Sequence, residues 1–355
     1  MSEPSSGSYA DDVAIECRGV WKIFGPRAAE AIQAAKKENL DKAAVADRFQ
    51  SILSVAAADF TVRRGEIFCI MGLSGSGKST LVRHINRLID PTAGEILVNG
   101  ARVDLMSSAE LRTLRSKTIA MVFQHMALLP HRTVRDNVAL GLEIRGNKKS
   151  LRRDVAEQKL ELVHLAGWGD RYPDELSGGM QQRVGLARAL ASDPDILLMD
   201  EPFSALDPLI RRELQDQFLE LSLKVNKTTV FITHDLEEAI KLGSRIGIMR
   251  DGRLIQTGTP ADIVGRPVDA YVAEFVRGVS RLKLLRARDI MEPLAGSPAP
   301  NAQRRAHPES KLEALIDLMI EAPEGILIEA EHGSPIGVVR LDGLLRAIRG
   351  AGAPS

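Results

Sequence analysis

A chain of 355 residues, 44% apolar and 26% charged, has material for one large domain and a smaller one, with the composition of an ordinary globular protein. Lys plus Arg is 47 and Asp plus Glu is 47, so the formal charge is zero, which argues against a general nucleic-acid or anionic-membrane binder. The two cysteines, Cys17 and Cys69, cannot build a disulfide framework and read as reduced, buried apolar residues, and seven histidines without metal-ligand spacing give no zinc signal.

Residues 1–12 are Ser-rich and acidic, read as disordered, and contain no apolar core for secretion. No stretch approaches the roughly 18 apolar residues of a membrane span, so any membrane part is expected in other chains. A strand-rich start over residues 13–24 is followed by an Ala- and Lys-rich helical insertion over about 26–50, with Asp41 as an N-cap. Four short apolar runs then stand out, at 67–71, 119–123, 196–199 and 230–232. Their length fits strands buried on both faces, and their alternation with helical segments predicts a mostly parallel α/β sheet. Each run ends in a polar or glycine-rich cluster. In an open parallel sheet those clusters share one edge, where ligands bind. From residue 282 the composition changes. A Pro-, Ala- and Ser-rich stretch over 293–308 reads as a linker or long loop. A small unit follows, with a helix at 311–321, strands at 325–329 and 336–340, and a helix at 341–349. The last residues, 351–355, read as disordered.

The first cluster, Gly72, Leu73, Ser74, Gly75, Ser76, Gly77, Lys78 and Ser79, matches G-x-x-x-x-G-K-[ST] between a predicted strand and a predicted helix. Glycines let such a loop curl so that backbone N–H groups face phosphate oxygens, and the helix start adds its positive dipole end. Lys78 is expected to reach the β- and γ-phosphates and Ser79 to ligate Mg²⁺, with Thr80 counted among the nucleotide contacts. Chance produces this pattern in about one chain of this length in a hundred, and the strand–loop–helix context lowers that further. Asp200 and Glu201 end the third run. Asp200 is placed to hold the metal shell and Glu201 to orient or deprotonate the attacking water. Gln124 and His234 follow the second and fourth runs and are expected on the same edge.

Leu176-Ser177-Gly178-Gly179-Met180-Gln181-Gln182-Arg183 precedes a helix and offers a second anion-binding helix terminus. With the clusters above, it resembles the signature of ABC-type ATPases, and the resemblance covers about 13–278. The fold this implies is a P-loop NTPase ABC-type nucleotide-binding domain over 13–281, a RecA-like core with a helical subdomain at about 125–190. The resemblance makes Gly72 to Ser79 the Walker A, 196–201 the Walker B with its catalytic glutamate, Gln124 a Q-loop contact and metal ligand, Asp207 part of the D-loop, and His234 the switch histidine. It puts Phe24 against the adenine, with Trp21 a weaker candidate; Met180 departs from the commonest LSGGQ form but leaves the serine and glycines intact.

The family also implies ATP and Mg²⁺ as ligands, and a head-to-tail homodimer in which Ser177, Gly178 and Gly179 of one subunit face the γ-phosphate held by the other. The segment 128–134 after Gln124 resembles importer subunits, and the helical insertion between Phe24 and Asp59 looks like that of the subfamily importing quaternary amines such as glycine betaine, proline betaine or choline. Such a subunit sits on the cytoplasmic face of the inner membrane, against a permease that an extracytoplasmic substrate-binding protein serves, with no nucleic acid involved. The alternatives are an importer ATPase for another solute, or a soluble ABC ATPase outside transport. Residues 282–350 resemble a single cystathionine-β-synthase-type (CBS) module, with Arg340 in place of the usual ribose-contacting Thr/Ser and the acidic position moved to Asp342. A packing or dimer-contact role is therefore expected at least as much as nucleotide sensing.

Overall fold

The computed structural model describes residues 12–124, 127–204, 206–294, 304–330 and 333–349, and these form three sheets. The segments expected to be disordered, 1–12 and 351–355, lie outside the described residues apart from Asp12. The chain divides into two compact units, Met1–Ile255 and Gln256–Ser355.

The first unit opens with β1 (Val13–Phe24), α1 (Ala28–Glu38), α2 (Lys42–Phe49) and β2 (Ile52–Arg63). β1 and β2 pair antiparallel from Val13 opposite Arg63 to Phe24 opposite Ile52, which makes the two-helix insertion a long excursion between neighbouring strands. The insertion breaks at Asn39, whose backbone is left-handed at φ 51°, and restarts where Asp41 accepts from the Ala44 N–H at 2.8 Å. That is the expected N-cap. Ala31, Ile32, Ala35, Val45 and Phe49 bury against Trp21, Ile23 and Leu53, so the insertion has its own small core.

There follow β3 (Ile67–Met71), α3 (Lys78–Ile85), β4 (Ala93–Val98), β5 (Ala101–Arg102), α4 (Ser108–Thr113) and β6 (Ile119–Val122). A helical stretch comes next, α5 (Val134–Val138), α6 (Leu140–Ile144), α7 (Lys149–Leu162) and α8 (Gly178–Ala191). These pack through Val134, Val138, Leu160, Val184 and Ala187; of the helical subdomain expected over 125–190, residues 125 and 126 lie outside the described residues. The unit ends with β7 (Ile196–Asp200), α9 (Pro208–Val225), β8 (Thr228–Thr233), α10 (Leu236–Leu242), β9 (Arg245–Arg250) and β10 (Arg253–Gly258).

One sheet runs β2-β1-β4-β5 and the second β10-β9-β3-β8-β7-β6. In the second, β9, β3, β8, β7 and β6 are parallel neighbours. All five residues of β3 and of β7 are buried, as the uninterrupted apolar runs require of strands covered on both faces. Phe60, Val62, Ile15 and Ile96 of the antiparallel sheet share a core with Phe68, Ile70, Leu198 and Val230 of the parallel one. Each such side chain contributes about 1.5–3 kcal/mol of burial. Of the antiparallel layer, the strand-rich start over 13–24 is legible in the sequence, but not the pairing that makes it a separate sheet.

The second unit contains α11 (Pro260–Gly265), α12 (Ala270–Phe275), α13 (Arg281–Leu284), α14 (Ala287–Ile290), β11 (Glu292–Pro293), β12 (Arg304–Ala306), α15 (Leu312–Glu321), β13 (Ile326–Glu329), β14 (Pro335–Val339) and α16 (Leu341–Arg349). Its sheet runs β11-β14-β13-β12. Ala261 and Leu282 pack on the core of Leu285, Leu312, Leu315 and Ile326. The compact division therefore lies inside β10, earlier than the composition change at residue 282. The stretch 293–308 is more than a loop where it is described: Arg304–Ala306 pairs in parallel with Ile326–Ile328. Ion pairs from Arg304 to Glu321 and from Arg305 to Glu329 fix a strand that apolar alternation could not announce. Residues 295–303 of that stretch lie outside the described residues.

Candidate active site

Register decides which residues meet. Met71 lies beside Thr233 and Ile248, Asp200 beside Ile232, and Met199 beside Val122. Gly72, His234, Glu201 and Gln124 thus leave the parallel sheet from one edge, as the four polar clusters predict.

Two glycines of the phosphate loop are required by close backbone approach. Gly72 has φ +152°, and a Cβ there would come within 2.1 Å of the Met249 carbonyl oxygen. Gly77 has φ +102°, and its Cβ would meet the Ser54 carbonyl oxygen at 2.1 Å. Gly77 caps α3 without a side chain, so the first N–H groups of that helix keep their donors for an anion. The Lys78 side chain is only 5% exposed, and its Nζ donates to the Gly72 and Leu73 carbonyls at 2.9 and 3.1 Å. Burial holds its pKa below the ordinary lysine value, against the pull of Glu201 and Asp200. The Ser76 hydroxyl is buried in the same loop with no hydrogen-bond partner. A loop with backbone N–H donors facing inward, a buried ammonium and an orphaned hydroxyl fits a polyphosphate.

Acidic groups stand opposite. The Ser79 hydroxyl donates to Asp200 Oδ1 at 2.7 Å, and Arg83 Nη2 donates to Asp200 Oδ2 at 3.0 Å. A hydroxyl and a buried carboxylate in contact are a hard-oxygen donor set that fits a magnesium ion shared with phosphates. Glu201 has left-handed backbone at φ +47°, and its N–H donates to the Ile232 carbonyl at 3.2 Å. Its side chain lies between Lys78 Nζ at 3.8 Å and His234 Nδ1 at 3.2 Å. Gln124 Nε2 donates to the Ser204 hydroxyl at 3.4 Å.

Lys78, Ser79, Thr80, Gln124 and Glu201 line a cleft of 460 Å³ together with Phe24 and Ile52. Phe24 is 39% exposed on this cleft, whereas Trp21 is 6% exposed and packed into the insertion core. Of the two aromatics only Phe24 is available to stack on a base. Arg83 escaped the sequence reading. Its signal was there, since residue 83 is four positions after Ser79 on one helix and so shares its face.

The signature residues behave differently. Ser177 caps α8 by accepting from the Met180 N–H at 3.4 Å, and both Ser177 and Gly178 are exposed. Gly179 is buried, and a Cβ there would meet Ile210 Cγ2 at 2.7 Å. Asp207 caps α9 by accepting from the Leu209 and Ile210 N–H groups, both at 3.1 Å. Among the described residues these four do not line the cleft. Within one chain, then, the phosphate loop, Asp200, Glu201, His234, Gln124 and Phe24 come together, and Ser177 to Gly179 and Asp207 stand apart.

Residues 55–204 match the family model for ABC transporters. The chain is 52% identical over 280 residues to the glycine betaine transport ATP-binding protein OpuAA of Bacillus subtilis, covering 79% of this chain and 67% of that protein. It is 44% identical over 331 residues to the trimethylamine N-oxide transport system ATP-binding protein TmoW of Ruegeria pomeroyi, covering 93% of this chain and 96% of that one. The ATP-binding cassette MJ0796, solved as a dimer in a post-hydrolysis state with ADP and Pi, superposes with a TM-score of 0.59 at 30% identity, over 69% of this chain and 98% of that one. Among the described residues no helix is long and apolar enough to cross a membrane. With identities of this size across two thirds or more of its relatives, the chain belongs to the ABC transporter family, as one of its ATP-binding, ATP-hydrolysing subunits.

Proposed function

We propose that the chain energises import of a small methylated amine, glycine betaine or a near analogue, by hydrolysing ATP at the cleft beside Lys78. The observation that carries the hydrolytic part is Glu201, held by Lys78 at 3.8 Å and His234 at 3.2 Å at the mouth of the phosphate loop. There its carboxylate accepts a proton from a water aimed at the γ-phosphoryl group, and His234 steadies that carboxylate and the phosphate oxygens. Lys78 exchanges its loop carbonyls for β- and γ-oxygens, and Phe24 stacks on the adenine. Ser79 and Asp200, with Gln124, would hold Mg²⁺, which would supply charge neutralisation at the transferred group. Ser177, Gly178, Gly179 and Asp207 act on the nucleotide of a second, head-to-tail copy. The exposure of Ser177, Gly178 and Asp207, and the separation of all four from the cleft of their own chain, support that arrangement. ATP then joins two copies and hydrolysis releases them.

The copies work on the cytoplasmic face of the inner membrane, against a permease served by an extracytoplasmic binding protein, without nucleic acid. Residues 282–350 form a single CBS-like module with a packing or dimer-contact role; Arg340 there is taken up by Glu292 at 3.2 Å, away from ligand duty. The solute part rests on the relatives, since the solute does not touch this subunit. Similarity to TmoW along nearly its whole length favours trimethylamine N-oxide as the second reading. Uptake of labelled glycine betaine, choline and trimethylamine N-oxide is to be measured in a strain lacking this chain. Loss of one, restored by the wild-type chain, is the expected result; unchanged uptake of all three removes the solute assignment.

A further inference from the structure

The helical insertion reaches the phosphate loop. Lys42, the first residue of α2, donates from Nζ to the Gly75 carbonyl at 3.0 Å and borders the same cleft as Lys78 and Phe24. Gly75 is the one glycine of the loop whose Cβ position faces open space. Arg253 Nη2 donates to Asn39 Oδ1 at 2.8 Å and the insertion core holds Val45 and Phe49, which fixes the turn that presents Lys42.

Lys42 breaks a local rule. An ammonium at the first position of a helix opposes the positive end of the dipole, and α2 has no acidic residue in its first turn. Asp41 satisfies the helix cap with its own carboxylate, so Lys42 is not needed there. A residue placed against helix electrostatics, at the mouth of an anion site, points to a function outside the helix. An ammonium has three donors and the Gly75 carbonyl uses one.

We propose that Lys42 is a positioning residue for the nucleotide, which ties the loop tip in the nucleotide-free chain and donates to a phosphate oxygen when nucleotide enters. The proposal rests on the nucleotide-site reading given above. It makes the insertion, absent from the sheet core, part of the phosphate cradle.

The test is fluorescence titration of the full chain with ATP, ADP and adenosine, on wild type and on Lys42→Gln, Lys42→Arg and Lys78→Ala, with thermal melts of each. Lys42→Gln is expected to weaken ATP about fivefold, as for one partly solvated charged hydrogen bond, ADP by no more than that, and adenosine not at all. Lys42→Arg should restore most of the ATP affinity, and the difference between wild type and Lys42→Gln should shrink as salt rises from 50 to about 500 mM. Equal affinities of wild type and Lys42→Gln for ATP overturn the proposal. So does equal weakening for ATP and adenosine, which identifies a merely structural role. Wild type that fails to bind ATP, or Lys78→Ala that binds it normally, overturns the nucleotide-site reading itself.

Discussion

The phosphate-loop edge and the start of α8 are both built to meet anions, yet one is filled and the other bare. At the loop edge, Lys78, Ser79, Asp200, Glu201 and His234 already satisfy one another at 2.7 to 3.8 Å. At α8, Ser177 spends one long contact of 3.4 Å on its own helix, and the nearest atom to a Cβ on Gly178 is Leu206 Cδ2 at 4.0 Å. A network that closes on itself can hold geometry before a ligand arrives. A bare helix start gains partners only when another surface comes. On the proposed function, hydrolysis and its timing are separable: the chemistry would belong to one edge, and the trigger to contacts with a second copy.

Breaking the filled edge should have the largest effect. Glu201→Gln keeps the shape beside Lys78 and His234 but removes the proton acceptor, so ATP turnover should fall at least about 100-fold while ATP affinity is kept. Steady-state phosphate release beside equilibrium binding checks this, and unchanged turnover removes Glu201 from the water's side. The bare helix start separates packing from contact. Gly179→Val drives a side chain into Ile210, 2.7 Å from the Cβ position, and should cost about 1–3 kcal/mol in a denaturant melt. Gly178→Ala meets nothing closer than 4.0 Å, so its melt should stay put while ATP turnover drops about tenfold through loss of close approach to phosphate. Full activity of folded Gly178→Ala would contradict the trans contact. The smallest effect is expected at Ser177. Ser177→Ala gives up an N-cap for about 1 kcal/mol, and Ser177→Asp keeps the cap but sets a negative charge against the γ-phosphate. Turnover lower in the aspartate variant than in the alanine variant sharpens the comparison; the reverse order assigns Ser177 to capping alone.

Much of the site was legible because its chemistry is local. Gly72 to Ser79 has to curl within eight residues, and only glycine admits the Met249 and Ser54 carbonyls that close on it. The four apolar runs announced buried parallel strands, and the polar residue after each announced the ligand edge. Arg83 on Asp200 was harder, since the partners are 117 residues apart and only a helix-face argument joins them. Arg304–Ala306 could not be read at all, because its pairing with β13 and its ion pairs with Glu321 and Glu329 give it a strand's geometry without a strand's composition.

What the residues determine alone is therefore whatever backbone sterics and apolar period enforce over a few positions: the phosphate loop, the buried strands, the helix cap at Asp41. What the tertiary structure decides is which distant groups share a cleft. Phe24 rather than Trp21 faces it, Lys42 of the insertion joins it, and Ser177 to Gly179 stay outside it. The reason is that sheet register and helix packing set these distances through contacts spread over the whole unit, and no local pattern in the chain carries that information.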